Sequence, residues 1–428
     1  MPAELLLLTA LSVCLLPLLG VLILADVRRN TIILLVAAVG VRLLINVTNQ
    51  WMGLFEPKLA GAAAVHLFNA FHSGVGANPG SSFLVQTFLA WPFLVVHDSL
   101  QSLIVANNAL SILLSFVGMR LLKPCLSRKS WFYLLFAVLF FPAVLNFNMF
   151  GLRDPIIFGF VLVFVASVLR LRSGFSPVAI IWLFLAVIPL LSLRNEFVVI
   201  LIVPLVLSLF SAFGRLRFGQ QMGAGKLALR TVFISAFLAI ALPVVLILGV
   251  RALGNIGISE SEASLVAVQA SVEGRFERQA GQSGGGSSIY SGQSFQSLPL
   301  PVRTAVSFAG MIIIPFPWQV TNPAQLLAFL ESLVVVGMLG WILTGNRRRL
   351  GFSSASRDML ITYLIGSAVI GFFMINFGNA YRMRLSLLPF LFIVVALVRD
   401  RYMQQVTARR ARRFVDQRCV SDNAMSTR

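Results

Sequence analysis

Long apolar runs recur along the whole chain, and the basic residues gather in short clusters between them. A helix needs about 17 to 25 predominantly apolar residues to cross a hydrocarbon core ~30 Å thick. Runs of that kind sit near residues 3–25, 31–47, 101–122, 131–150, 155–170, 177–193, 197–213, 231–250, 324–343, 358–376 and 385–399. The chain is 58% hydrophobic and 11% charged, whereas soluble domains carry about 25% charged residues. The pattern predicts an all-α polytopic membrane protein of about eleven transmembrane helices.

The 34 Lys and Arg against 15 Asp and Glu, a net +19, would suit a nucleic-acid binder if they formed one basic face. Their distribution excludes that class. They cluster between apolar runs, as cytoplasmic loops do under the positive-inside rule. The clusters are Arg28–Arg29, Arg120–Lys129, Arg170 with Arg172, Arg215–Arg230, Arg347–Arg357 and Arg399–Arg418. Placing them on one side sets the N-terminus outside and the C-terminus inside, with anionic lipid as their expected partner. The N-terminal MPAELLLL lacks the basic stretch of a cleaved signal peptide and reads as the first membrane helix. Two apolar segments do not fit the charge rule as spans. Phe83–His97, broken by Pro92, and Val302–Val320, ending in PFPW, are expected to lie on the outer surface.

The chain then divides into a bundle over 1–399, with outer loops 48–100 and 251–323, and a basic cytoplasmic tail over 400–428. The second loop opens on an amphipathic stretch and continues through Gly/Ser-rich QAGQSGGGSSIYSGQSFQS, which reads as a mobile flap. DRYMQQVTARRARRF reads as a helical tail on lipid, with disorder expected after Gln417. Cys14, Cys125 and Cys419 are widely spaced and offer no disulfide framework or CxxC metal site. His66 and His72 are not at the i, i+4 spacing that puts two ligands on one helix face. No cofactor or metal-binding site is expected from these residues, and a requirement for a divalent ion is left open.

No P-loop, GxSxG or HExxH motif occurs in the sequence. The residues left to carry chemistry are charges at the outer ends of helices. Arg153 and Asp154 lie in NFNMFGLRDP, Arg194, Asn195 and Glu196 follow the sixth helix, and Asn379, Arg382 and Arg384 precede the eleventh. Each group is expected in a short outer turn, and helix bundling would bring the turns together. Arginine suits a diphosphate on a polyprenyl carrier, because its planar fork donates paired hydrogen bonds and stays ionised. Asp154 and Glu196 would orient those arginines or take a proton from an attacking sugar hydroxyl. The bland alternative is that arginines at helix ends reach for headgroups and pair locally. Glu331 and Arg42 lie deeper and are expected to form structural pairs.

Three stretches carry a family resemblance: LFFPAVLNFNMFGLRDPIIF, PFPWQV followed by the helix with Glu331, and NFGNAYRMRLSLLPFL. With the helix LIVANNALSILLSFVGMRLL after the first outer loop, they resemble bacterial membrane proteins of polysaccharide assembly. The group is GT-C-like and includes Wzy-type repeat-unit polymerases and glycosyltransferases that use lipid-phosphate sugars. The resemblance implies sugar transfer on the outer face of the inner membrane, from a lipid-linked oligosaccharide. Arg153, Arg382 and Arg384, with Arg194 beside them, would hold the phosphate, and Asp154 or Glu196 would assist. The early outer-loop acid usual in the mannosyltransferase type is missing from KLAGAAAVHLFNAF, leaving Glu56 and Asp98 as substitutes. That departure favours a polymerase of an exopolysaccharide or O-antigen. A glycosyltransferase with a polyprenyl-phosphate donor is the alternative, and a transporter of lipid-linked sugars comes third.

Overall fold

The computed structural model describes residues 29–52, 100–149, 153–173, 176–194, 200–208, 299–320, 323–347, 352–373 and 377–426. In chain order the helices are α1 (Arg29–Met52), α2 (Leu100–Leu122), α3 (Arg128–Phe140), α4 (Pro142–Met149) and α5 (Asp154–Ser173). They continue with α6 (Pro177–Leu193), α7 (Leu300–Ile313), α8 (Pro323–Arg347), α9 (Ser354–Phe373) and α10 (Phe377–Ser426). Residues 200–208 are helical as well, and no strand occurs among the described residues. Three segments, Asp154–Ser173, Gln325–Thr344 and Ala380–Ala408, are long and apolar enough to cross a membrane. The chain is an all-α membrane protein.

The centre of the bundle is α5. It is apolar all round, which is how a helix buried on every side reads in sequence, and Asp154 through Leu169 are all buried. Its charges match the helix dipole, with Asp154 in the first turn and Arg170 and Arg172 in the last. Pro155 sits in the first turn, where a missing N–H costs nothing. α5 packs most extensively against α2 and then α6. Glycines permit the close α2–α5 approach, as small residues do between membrane helices. A β-carbon on Gly159 would lie 2.7 Å from Leu114 Cβ, and one on Gly118 would lie 2.8 Å from Leu162 Cγ.

Those two pairings advance together along both helices, so α2 and α5 run parallel. α10 shares that direction, since Arg382 meets Asp154 at its start and Phe392 packs edge-on against Phe158 further along. At the far end Cys125 lies 3.9 Å from Ser173, Arg172 pairs with Asp358 at 2.6 Å, and Asp400 accepts from Ser127 N and Ser130 Oγ. The bundle therefore has two chemically different ends. One carries Asp154, Arg194 and Arg382, and the other gathers Arg120, Lys123, Arg128, Lys129, Arg172 and Arg399. At 1.5 Å per residue the 20 residues of α5 separate them by ~30 Å. Val178, Ile181, Leu185 and Ile188 of α6, and Leu326, Leu330 and Leu333 of α8, form exposed apolar faces that suit lipid rather than water.

The structure corrects several boundaries. The expected single helix over 131–150 is two, α3 and α4, broken at Phe141. The next residue is Pro142, and a residue before proline is driven out of the helical region; Phe141 is extended at φ −62°, ψ 129°. The last helix does not begin near 385 but at Phe377, and it runs on through Ser426. Arg382 and Arg384 thus lie on helix, not in an outer turn, and the helix is continuous past Gln417 where disorder was expected. α7 packs on α9 and α10, and its 14 residues reach only ~21 Å. After the cis bond between Ile314 and Pro315, Trp318 is exposed and stacks on Phe316 at 4.8 Å. The expected helices over 3–25 and 231–250, the segment 83–97, and most of both outer loops lie outside the described residues.

Candidate functional site

Asp154 is fully buried, and each of its oxygens holds a different arginine. Oδ1 accepts from Arg194 Nη2 at 2.9 Å. Oδ2 accepts from Arg382 Nε at 2.9 Å and lies 2.8 Å from Arg382 Nη2. The three residues come from three helices. Asp154 opens α5, Arg194 caps the C-terminus of α6, where its N–H still bonds Leu190 O at 2.9 Å, and Arg382 lies in the second turn of α10. Arg194 Nη1 rests 2.8 Å from Met383 Sδ, and its buried Nε has no hydrogen-bond partner. Arg153 precedes Asp154, accepts Ile157 N–H on its carbonyl at 3.0 Å, and lies within the field of the carboxylate.

Exposure rises outward through this set. The Asp154 side chain is at 0%, Arg194 at 9% and Arg382 at 23%. The carboxylate forms the floor and Arg382 the rim. Among the described residues, one carboxylate is paired with two guanidiniums, those of Arg194 and Arg382. Both Asp154 oxygens are engaged, which makes the residue an orienting group for its arginines rather than a ready acceptor of a substrate proton.

Arg384 is not part of this constellation. Residues two apart on a helix point about 200° apart, so Arg382 and Arg384 serve different neighbours. Arg384 is buried and donates from Nη1 to Ile312 O at 3.2 Å, Ile314 O at 3.0 Å and Ser332 Oγ at 2.6 Å. Its Nη2 reaches Ala328 O at 3.4 Å, and the guanidinium sits 5.2 Å from the Tyr381 ring centre. It satisfies carbonyls at the frayed end of α7 that no helical N–H can reach. Glu331, expected to form a structural pair, takes the Tyr381 hydroxyl at 2.5 Å and lies 3.9 Å from Arg384 Nη2. Arg42 donates to Ala38 O within its own helix at 3.2 Å.

Of the residues singled out from sequence, Arg153, Asp154, Arg194 and Arg382 come together, and Arg384 joins Glu331 in a second buried cluster. Glu56, Asp98, Glu196, His66 and His72 lie outside the described residues, as does the side chain of Asn379. Sequence reasoning missed Tyr381 and Ser332. Tyr381 had a signal: it stands three residues before Arg384, on the same helix face. The buried Arg172–Asp358 pair was also missed, because Arg172 read as part of a basic loop cluster and Asp358 as the first residue of a membrane run. No group of metal-binding side chains occurs among the described residues. No family model matches the chain, and no curated protein or solved structure matches it either.

Proposed function

We propose that the protein transfers sugar at the outer face of a bacterial inner membrane, joining polyprenyl-diphosphate-linked oligosaccharide units of an exopolysaccharide or O-antigen. The observation that carries the reading is the Asp154 floor beneath Arg194 and Arg382, with Arg153 beside it, at the end of the bundle away from Arg120–Lys129, Arg172 and Arg399. A carboxylate that fixes two guanidiniums leaves their outer N–H groups aimed and positively charged. That is the arrangement a diphosphate leaving group needs, because its negative charge grows as the sugar departs. Holding the lipid-linked donor there lets the incoming sugar hydroxyl attack in a fixed geometry. The proton it sheds would go to a carboxylate other than Asp154, for which Glu196, Glu56 and Asp98 are the candidates. Arg384 has no role in this chemistry and serves the packing of α7.

Lipid-linked glycans from cells lacking the protein test the proposal. Single repeat units accumulating on the carrier, with no long polymer, are expected. Units lacking one sugar would indicate the polyprenyl-phosphate glycosyltransferase instead, and units trapped on the cytoplasmic side would indicate transport. An unchanged glycan profile would remove sugar transfer altogether.

A further inference from the structure

At the end of the bundle opposite Asp154, α1, α2, α3 and α10 enclose a cavity of about 780 Å³. Five basic side chains line it: Arg120, Lys123, Arg128, Lys129 and Arg399, and no carboxylate does so among the described residues. Asn30 and Thr31 of α1 add two polar side chains, and Phe116, Trp131, Tyr133 and Met403 supply an apolar and aromatic wall. The volume lies within the range of small-molecule sites.

Two features of the surrounding structure make this more than a solvated basic face. First, Asp400, the acid adjoining Arg399, is turned onto the start of α3, where Ser127 N and Ser130 Oγ donate to it at 2.9 and 3.0 Å. Its charge is occupied there. Second, Arg128 and Lys129 form the first turn of α3, and no acid accompanies them in that turn. Cations at a helix N-terminus oppose the dipole, and the Asp400 carboxylate bonded to that terminus sets one negative charge against the two of Arg128 and Lys129. The walls are fixed as well. Trp131 Nε1 donates to Met119 O at 2.6 Å, and the Arg399 guanidinium lies 4.1 Å from the Tyr133 ring centre.

We infer that this cavity is a binding site for a membrane lipid with a polyanionic phosphate headgroup. Phosphate oxygens would take the ammonium and guanidinium donors of Lys123, Arg128 and Lys129, and the apolar wall would receive the start of the acyl chains. Basic pockets between membrane helices bind such headgroups by this chemistry. The site lies ~26 Å along α10 from Arg382 at 1.5 Å per residue. It is therefore separate from the Asp154 cluster and independent of the sugar-transfer proposal.

Native mass spectrometry of the delipidated full-length protein tests it, with cardiolipin, phosphatidylglycerol, phosphatidylcholine and inorganic pyrophosphate as probes. Cardiolipin should give one dominant adduct at a concentration about tenfold below phosphatidylcholine, with K123Q/R128Q/K129Q losing that preference. Removing loop charges could also alter insertion, so M403W supplies a second arm: it enlarges a side chain in the cavity wall while keeping every charge, and it should weaken the cardiolipin adduct. Equal retention of cardiolipin and phosphatidylcholine, or full retention by M403W, would overturn the site. Pyrophosphate binding as tightly as cardiolipin would overturn the lipid and leave a soluble phosphate as the ligand.

Discussion

Replacing Asp154 with Asn removes one negative charge from a fully buried position and leaves its shape almost unchanged. In the native structure three guanidinium nitrogens converge on its two oxygens. An amide can accept on one side only, so its NH₂ would face either Arg194 or Arg382, donor against donor. Removing one partner of a buried ion pair costs about 3–5 kcal/mol, because the other is left uncompensated. Asp154→Asn strands two partners, one of them at 9% exposure, and belongs at the upper end of that range. Arg194→Ala leaves Asp154 with Arg382 and loses one charged hydrogen bond, about 1.5–3 kcal/mol. Arg382→Ala, at the 23% exposed rim, should cost less again. Equilibrium unfolding in mixed micelles, followed by near-UV circular dichroism, measures the three in turn. The double variant Asp154→Asn/Arg194→Ala should be less destabilised than the sum of the singles. A cost below about 1 kcal/mol for Asp154→Asn, or an Arg194→Ala variant less stable than it, would refute the account of Asp154 as the floor.

Other expectations can be checked with the same preparations. Arg382→Ala and Arg153→Ala should abolish polymer in cells while the protein still accumulates, and Arg382→Lys should rescue poorly because an ammonium cannot reproduce the Nε and Nη2 fork; polymer at normal length from both alanine variants would contradict this. Gly159→Ala forces a carbon to 2.7 Å from Leu114 Cβ and should cost about 1–3 kcal/mol in the same unfolding assay, and adding Leu114→Ala should not restore stability because alanine keeps that Cβ. Arg384→Gln should destabilise by about 3–5 kcal/mol, since it leaves Glu331 without its cation, and the variant should lose yield rather than specific activity. Burial holds the Cys125 thiol above its usual range, only partly offset by Ser173 and Arg170. Maleimide labelling of Cys125 in the folded protein should therefore need higher pH than in the denatured chain, and equal pH profiles would refute it.

Local signals located some elements closely. Helix α6 was expected over 177–193 and is observed at Pro177–Leu193, because Ser176 caps it, accepting from Ala179 N at 3.4 Å, and Pro177 opens it. Helix α2 likewise matched to within one residue. The start of α10 was misjudged because hydropathy treats Asn379, Arg382 and Arg384 as an end to a membrane helix. Those arginines turn toward Asp154 and the end of α7, so Arg384 is buried and Arg382 half-buried, each held by protein partners. Charge next to apolar runs singled out Arg153, Asp154, Arg194 and Arg382 as residues that helix bundling would bring together. Their mutual geometry was not, since Asp154 meets partners 40 and 228 residues away in the chain. The split between Arg382 and Arg384 could have been read from helical angle alone. No local pattern announced the Arg172–Asp358 pair, 186 residues apart.

One consequence follows from the continuity of α10. It is pinned near one end by Arg382 and Arg384 and, beyond Pro389, by Arg399 and Asp400 at the other, with no loop between to absorb a change in length. A single inserted residue would turn everything after it by about 100° and advance it by 1.5 Å. Asp400 would then leave the start of α3 whenever Arg382 stayed on Asp154. The interval between the two anchors is fixed in both length and phase, so this stretch should accept many substitutions that keep its apolar faces and almost no insertion or deletion. Through that rigid interval, the angular position of the basic tail is set by where Arg382 docks at the far end of the bundle.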